Sequence, residues 1–305
     1  MAPTVAILSA NSNTGTAAIE CLTEQYADKV KVRGVVRRMQ SAADVEEFDI
    51  EVVKGDVNQP HMLGPVFEGV NAAYFAVPTS LERVAVTKKF IDACFTHGVQ
   101  HAVILSVLQA DRKETKFQQQ FAEIEEYAMS KAGKPVNTGA GDTGSALFVP
   151  VILRCAPFYQ NMYSSLRAIE QGTLTLPLGD HKYLPHVDVE DVAACIAAVL
   201  AEPSKFAAGT YNLIGEYQAG NQIATAIAMK AGVQCNYQAV TDDEAVTQLE
   251  QNGLAAWIAK GQVETMAWFR EGSGQDIESD VSKFKGSKPA KFGDFVATCL
   301  KPMLN

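Results

Sequence analysis

Apolar residues follow two rhythms along this 305-residue chain, and in its first half the two alternate. Residues 4–8 (Thr-Val-Ala-Ile-Leu) form a short run of β-branched and apolar side chains, the pattern of a strand buried on both faces. Residues 16–22 then put their apolar side chains on one stripe, which predicts a helix. Strand patterns recur over 30–36, 50–56, 72–77, 101–106 and 147–154, while helical spacing fills 80–98 and 113–131. Strands separated by helices predict an α/β fold, a doubly wound parallel sheet of Rossmann-like type. Such sheets bind ligands outside the carboxyl ends of their strands.

The later chain is less regular. Helices are expected over 189–200 and 221–231, then a tryptophan-bearing segment over 252–269 and a polar stretch over 272–289. The organisation predicted is a nucleotide-binding domain over 1–155, followed over 156–305 by completion of the sheet and a smaller, mostly helical lobe closing over the strand ends. Residues 132–146 hold four Gly, two Thr, one Pro and one Asn and predict an irregular, exposed insertion.

Composition narrows the classes. A formal net charge of −9 leaves no basic footprint for a nucleic acid backbone. No apolar run approaches the roughly 18 residues that would span a bilayer. Cys21, Cys94, Cys155, Cys195, Cys235 and Cys299 contain no C-x-x-C and mostly sit in apolar runs, as buried thiols in a reducing compartment do. No leader pattern precedes the first strand, so the cytoplasm is the expected location, with the nucleus as an alternative.

The candidate chemistry begins at Ser9-Ala10-Asn11-Ser12-Asn13-Thr14-Gly15, between the first strand and the first helix. A glycine-rich loop in that place cradles a dinucleotide, because unpaired helix N–H groups and the helix dipole favour an anion there. Glycines supply its tight turn, close backbone approach to the diphosphate, and helix–strand packing. Only the packing residue, Gly15, is glycine here; Ser9 and Ser12 hold the other two places. Weakened binding is expected. The hydroxyls of Ser9, Ser12 and Thr14 and the amides of Asn11 and Asn13 could still donate to phosphate oxygens. Arg37 closes the second strand, where an acid would bond a ribose 2′-hydroxyl and an arginine accommodates a 2′-phosphate. Arg38 doubles that charge, so NADP is expected over NAD; a merely exposed basic strand end is the alternative.

Six stretches taken in order resemble the NmrA-like family of atypical short-chain dehydrogenase relatives: Ser12-Asn13-Thr14-Gly15, the strand ending at Arg37, Gly55-Asp56-Val57, Glu123-Ile124-Glu125-Glu126-Tyr127, Arg154 with Phe158 and Asn161, and Val187-Asp188-Val189-Glu190-Asp191. They cover roughly residues 4 to 240. The resemblance implies a Rossmann domain with a small C-terminal lobe. It further implies either an NAD(P)H-dependent reductase or a redox-sensing regulator that binds dinucleotide and contacts a transcription factor or metabolic enzyme. Asp56 and Val57 would meet the adenine, although Asp56 could equally be a turn residue or helix cap. Ala76, Val77 and Pro78, with Thr79, would pass the ribose. Phe158, Tyr159 and Asn161 would wall the nicotinamide side, with core packing the alternative for Phe158.

Catalytic signals are thinner. Tyr127 and Lys131 have the Tyr-x-x-x-Lys spacing in which a lysine lowers a tyrosine pKa for proton transfer, and Ser106 ends the fifth strand nearby. The resemblance instead puts the active-site lysine at Phe121, about 15 Å along a helix from Lys131. Lys116 could reach back toward that position. His181, His186, Asp188 and Asp191 fit no metal-ligand spacing, and the two acids suit helix caps. Trp257, Trp268 and Phe269 suit a core, or one wall of a pocket. These signals together predict an NADP(H)-binding regulator with little or no turnover. The alternatives are an NADPH-dependent reductase of a quinone or other carbonyl compound, and an interaction module that no longer binds dinucleotide.

Overall fold

The computed structural model describes residues 2–137, 146–179 and 182–304. The chain opens with β1 (Thr4–Leu8), α1 (Asn13–Gln25), β2 (Lys31–Val36), β3 (Glu51–Lys54), α2 (Leu63–Phe67), β4 (Val70–Phe75), α3 (Arg83–Thr96), β5 (His101–Val107) and α4 (Lys116–Lys131). It continues through β6 (Val149–Cys155), α5 (Leu166–Glu170), β7 (Thr173–Leu176), β8 (Tyr183–His186), α6 (Val189–Ala201), β9 (Gly209–Leu213), β10 (Glu216–Ala219) and α7 (Gly220–Ala231). It ends with β11 (Asn236–Ala239), α8 (Asp242–Gln251), α9 (Ala256–Arg270), α10 (Val281–Lys285) and α11 (Phe292–Phe295).

Seven strands form one Rossmann-like parallel sheet in the order β3-β2-β1-β4-β5-β6-β9. The strand runs are buried because helices cover both faces; Val5, Ala6 and Ile7 of β1 and Val103 and Ile104 of β5 are at most 1% exposed. After β3 the chain returns to the other side of β1, so the order reverses between β1 and β4. That reversal is where an open sheet leaves a crevice at its carboxyl edge.

The chain divides into two compact units that interleave in sequence. The first contains residues 1–106, 120–154 and 192–211; the second contains 107–119, 155–191 and 212–305. In the second unit β8 pairs with β10 antiparallel and β7 with β11 parallel, as two separate two-stranded sheets. Its core gathers Tyr159, His186, Phe292 and Phe295, with ring centroids 4.6 to 5.8 Å apart.

Helix and strand ends depart from the sequence expectation where a polar group intervenes. The strand expected over 50–56 stops at Lys54, because the Asp56 carboxylate turns the chain by accepting the Asn58 N–H at 2.8 Å. The insertion expected to be irregular over 132–146 is pinned at both described ends. Gly133 N–H donates to Phe148 O, Val136 N–H to Ala146 O and Asn137 N–H to Phe95 O, each within 3.0 Å, and Val136 is buried. Residues 138–145 lie outside the described residues. No described helix is long and apolar enough to cross a membrane, and five of the six cysteines are buried.

Candidate functional site

The crevice is built first by the turn after β1. Ser9 holds a left-handed conformation at φ 59°, so the tight turn forms without the expected glycine. Ser12 N–H donates to Ser9 O at 2.9 Å, closing the turn, and Ser12 is the N-cap of α1. Its Oγ accepts the Gly15 N–H at 3.1 Å. Gly15 is obligatory, since a Cβ there would lie 2.5 Å from Ser9 O and 2.9 Å from Ala10 O. Beside this cap the N–H groups of Asn13 and Thr14 have no acceptor among the described residues. The Thr14 hydroxyl does not face the crevice as the sequence suggested. It is buried 2.6 Å from the Tyr74 hydroxyl, because Thr14 lies on the apolar stripe of α1. Asn11 and Asn13 are exposed, and Asn11 Nδ2 donates to Asp44 at 3.4 Å.

The neighbouring strand ends reach the same edge, since β1, β2, β3 and β4 run parallel. Arg37 and Arg38 follow β2, both exposed, and neither makes an ion pair among the described residues. Asp56 is half-buried; its Oδ1 serves the turn, as the structural alternative proposed, and its other oxygen stays available. Val57 beside it is buried. Ala76, Val77 and Pro78 continue from β4 as half-buried backbone, and Thr79 is exposed. Two lone cations, two open helix N–H groups and a cradle closed to any Cβ fit a phosphorylated dinucleotide.

Among the described residues, the candidates for carbonyl proton transfer are held in other bonds. Ser106 is 3% exposed and donates to Glu125 Oε1 at 2.5 Å, so it is not an open hydroxyl as expected. Arg154 grips the same carboxylate with contacts of 2.6, 3.0 and 3.2 Å, which ties β5, β6 and α4 together. Tyr127 and Lys131, one turn apart on α4, are hydrogen-bonded to each other, and Lys131 works to lower the phenol. Both bond Asp92 of α3, at 2.6 and 2.8 Å. Burial and then the Asp92 hydrogen bond push the Tyr127 phenol up, opposite to what proton transfer needs. Burial works to lower the Lys131 ammonium, but Asp92 and then Tyr127 together outweigh it and leave it raised.

Phe121, where the resemblance puts a lysine, is buried against a residue the sequence reading missed. The Arg83 guanidinium lies 5.1 Å from the Phe121 ring centroid and is held below its ordinary pKa by burial. A signal was present. Arg83 precedes Val86, Thr87 and Phe90 by three, four and seven residues, so it sits on the buried stripe of α3. Glu125 was legible in the same way, as it shares a stripe with the buried Phe121, Ala122 and Ala128.

The second unit holds the remaining candidates. Tyr159 is fully buried, with its hydroxyl donating to Ala290 O at 3.0 Å and its ring edge-on to His186, so it is core and not a pocket wall. Phe158 is half-buried and Asn161 exposed. Asp188 accepts from Gln160 and from Glu190 N–H, and Asp191 accepts from Lys285 and Ala290 N–H; both are structural. No group of His, Cys, Asp and Glu among the described residues could hold a metal, and His181 lies outside them. Lys116 is exposed, and its N–H donates to Glu264 of α9 at 2.9 Å. Trp268 donates to Glu114, while Trp257 meets Phe117 edge-on at 6.4 Å. With buried Phe269, these aromatics fix residues 107–119 to α9.

Comparison with known proteins fits this architecture. The chain is 24% identical over 284 residues to the NAD(P)H azoreductase of Xenophilus azovorans, an alignment covering 92% of this chain and 94% of that protein. It superposes with a TM-score of 0.79 and 22% identity on the NADPH-dependent quinone oxidoreductase of Escherichia coli in complex with NADPH, covering 97% and 99% of the two chains. With NmrA, a negative transcriptional regulator in complex with NADP, the TM-score is 0.72 at 14% identity, covering 98% and 95%. These structural likenesses establish the fold. The model of the NmrA-like family matches residues 1–295, and the chain belongs to that family.

Proposed function

We propose that the protein binds NADP(H) at the carboxyl edge of the sheet and works chiefly as a dinucleotide-responsive regulator. The supporting observation is a pairing of presence with absence. Arg37 and Arg38 stand exposed without ion-pair partners among the described residues, beside open N–H groups of α1, while Ser106, Tyr127 and Lys131 are each engaged elsewhere. The first turn of α1 would hold the diphosphate, Arg37 with Arg38 the 2′-phosphate, and Asp56 the adenine amino group. Ala76, Val77 and Pro78 would offer only backbone and apolar surface to the ribose. When bound, the cofactor would supply hydride chemistry, and the residues at this edge would orient it. The regulator's output is contact with a protein partner, a transcription factor or a metabolic enzyme, in the cytoplasm or nucleus.

A second reading is favoured by the relatives. An azoreductase and a quinone oxidoreductase share nearly the whole length of this chain. Quinones and azo compounds accept hydride readily, and in an NADPH-dependent reductase the accompanying proton would come from solvent. Calorimetric titration with NADPH and NADH, followed by NADPH oxidation over a panel of quinones, azo compounds and aldehydes, separates the readings. Binding with no turnover above background supports the regulator. Sustained turnover that Arg37→Ala impairs overturns it in favour of the reductase.

A further inference from the structure

The amino end of α1 already carries a ligand of its own. A helix start presents four N–H groups without intrahelical partners. Here the Ser12 N–H bonds the Ser9 carbonyl at 2.9 Å and the Gly15 N–H bonds the Ser12 hydroxyl at 3.1 Å. Those of Asn13 and Thr14 have no acceptor among the described residues. A diphosphate drawing on this turn therefore meets a side-chain oxygen already bonded to one of its donors. The two neighbouring threonines cannot relieve the conflict. Thr14 Oγ1 is buried on Tyr74 and Thr16 Oγ1 donates to Ala10 O at 3.1 Å. Nor is there spare room beside Gly15, where a Cβ would lie 2.5 Å from Ser9 O and 2.9 Å from both Ala10 O and Ser12 Oγ.

We propose that Ser12 is an internal competitor that sets dinucleotide affinity, capping α1 in the free protein and giving way when the diphosphate arrives. The inference rests on the dinucleotide reading above and adds its regulation. A chain capped in this way is stable without its cofactor and releases it readily, so occupancy follows the cofactor's concentration. A glycine at this position would leave the helix end waiting for phosphate.

The test compares wild type with Ser12→Ala and Ser12→Gly, by calorimetric titration with NADPH and by thermal unfolding with and without saturating NADPH. Removing a serine cap lowers helix stability while a phosphate restores it. Ser12→Ala should therefore lower the melting temperature of the free protein by about 2 °C, and saturating NADPH should close the gap to wild type. Its dissociation constant should fall about fivefold, the same increment seen from the bound side. Ser12→Gly should bind at least as tightly with a smaller loss in the free protein. Equal destabilisation of free and saturated protein, with binding unchanged or weaker, overturns the competition. So does tightening by Ser12→Gly alone, which would make the Cβ and not the hydroxyl the obstacle. If none of the three proteins binds NADPH, the dinucleotide reading falls and this inference with it.

Discussion

Single residues carry much of the site's character, and two are open to direct tests. Ser9 accepts a backbone conformation that costs an L-residue roughly 1–2 kcal/mol. Ser9→Gly removes that strain but loses more chain entropy, so it should stabilise the protein by about 0.5–1 kcal/mol in urea unfolding. A neutral or negative result would mean that the Ser9 side chain has a compensating bond. Arg37 is the discriminating cation in the proposal. Arg37→Ala should weaken NADPH binding about tenfold, the value of a charge-assisted contact, and leave NADH binding within about twofold. Equal weakening of both would move the 2′-phosphate contact elsewhere. At this scale the sequence was informative about position and less so about direction. The loop, the arginines and Asp56 were legible as a linear pattern. That Thr14 turns inward onto Tyr74, and that Tyr159 is core, depends on neighbours 60 and 131 residues away.

Among elements, α4 joins the sheet to its cover through one side chain. Glu125 accepts from Ser106 of β5 and from Arg154 of β6 at once, while only 5% exposed. Glu125→Ala removes the carboxylate that both strands share and should cost on the order of 3 kcal/mol, read as a shift in the urea midpoint. Glu125→Gln, which keeps the shape, should cost less. Long elements were read from their periodicity with ends within a few residues, as for α6 and α7. The four-residue strands β7, β8, β10 and β11 were not, because their partners are remote in sequence and their alternation is too short to stand out.

For the molecule as a whole, acid sensitivity follows from His186. Burial holds this imidazole neutral with a pKa near 3, while Gln218 beside it works the other way. The unfolded chain takes up a proton on the same group near pH 6.5, so between those values the unfolded state binds more protons. The stability His186 contributes is complete above about pH 6.5 and is lost as pH falls, by about 1.4 kcal/mol per unit, until about pH 3. Urea midpoints measured from pH 7 to pH 4 should fall along this slope in the wild type, and His186→Asn should flatten it. Parallel slopes would place the acid sensitivity in other groups.

The interleaving of the two units has a consequence for how the protein comes off the ribosome. The chain passes from one unit to the other at residues 106/107, 119/120, 154/155, 191/192 and 211/212. An emerging polypeptide therefore cannot finish its first unit until β9 has appeared, some 210 residues in. Until α9 follows, Phe117 and Glu114 lack the tryptophans they pack against. Nascent chains of this kind expose apolar surface for most of their synthesis, the circumstance in which chaperones act.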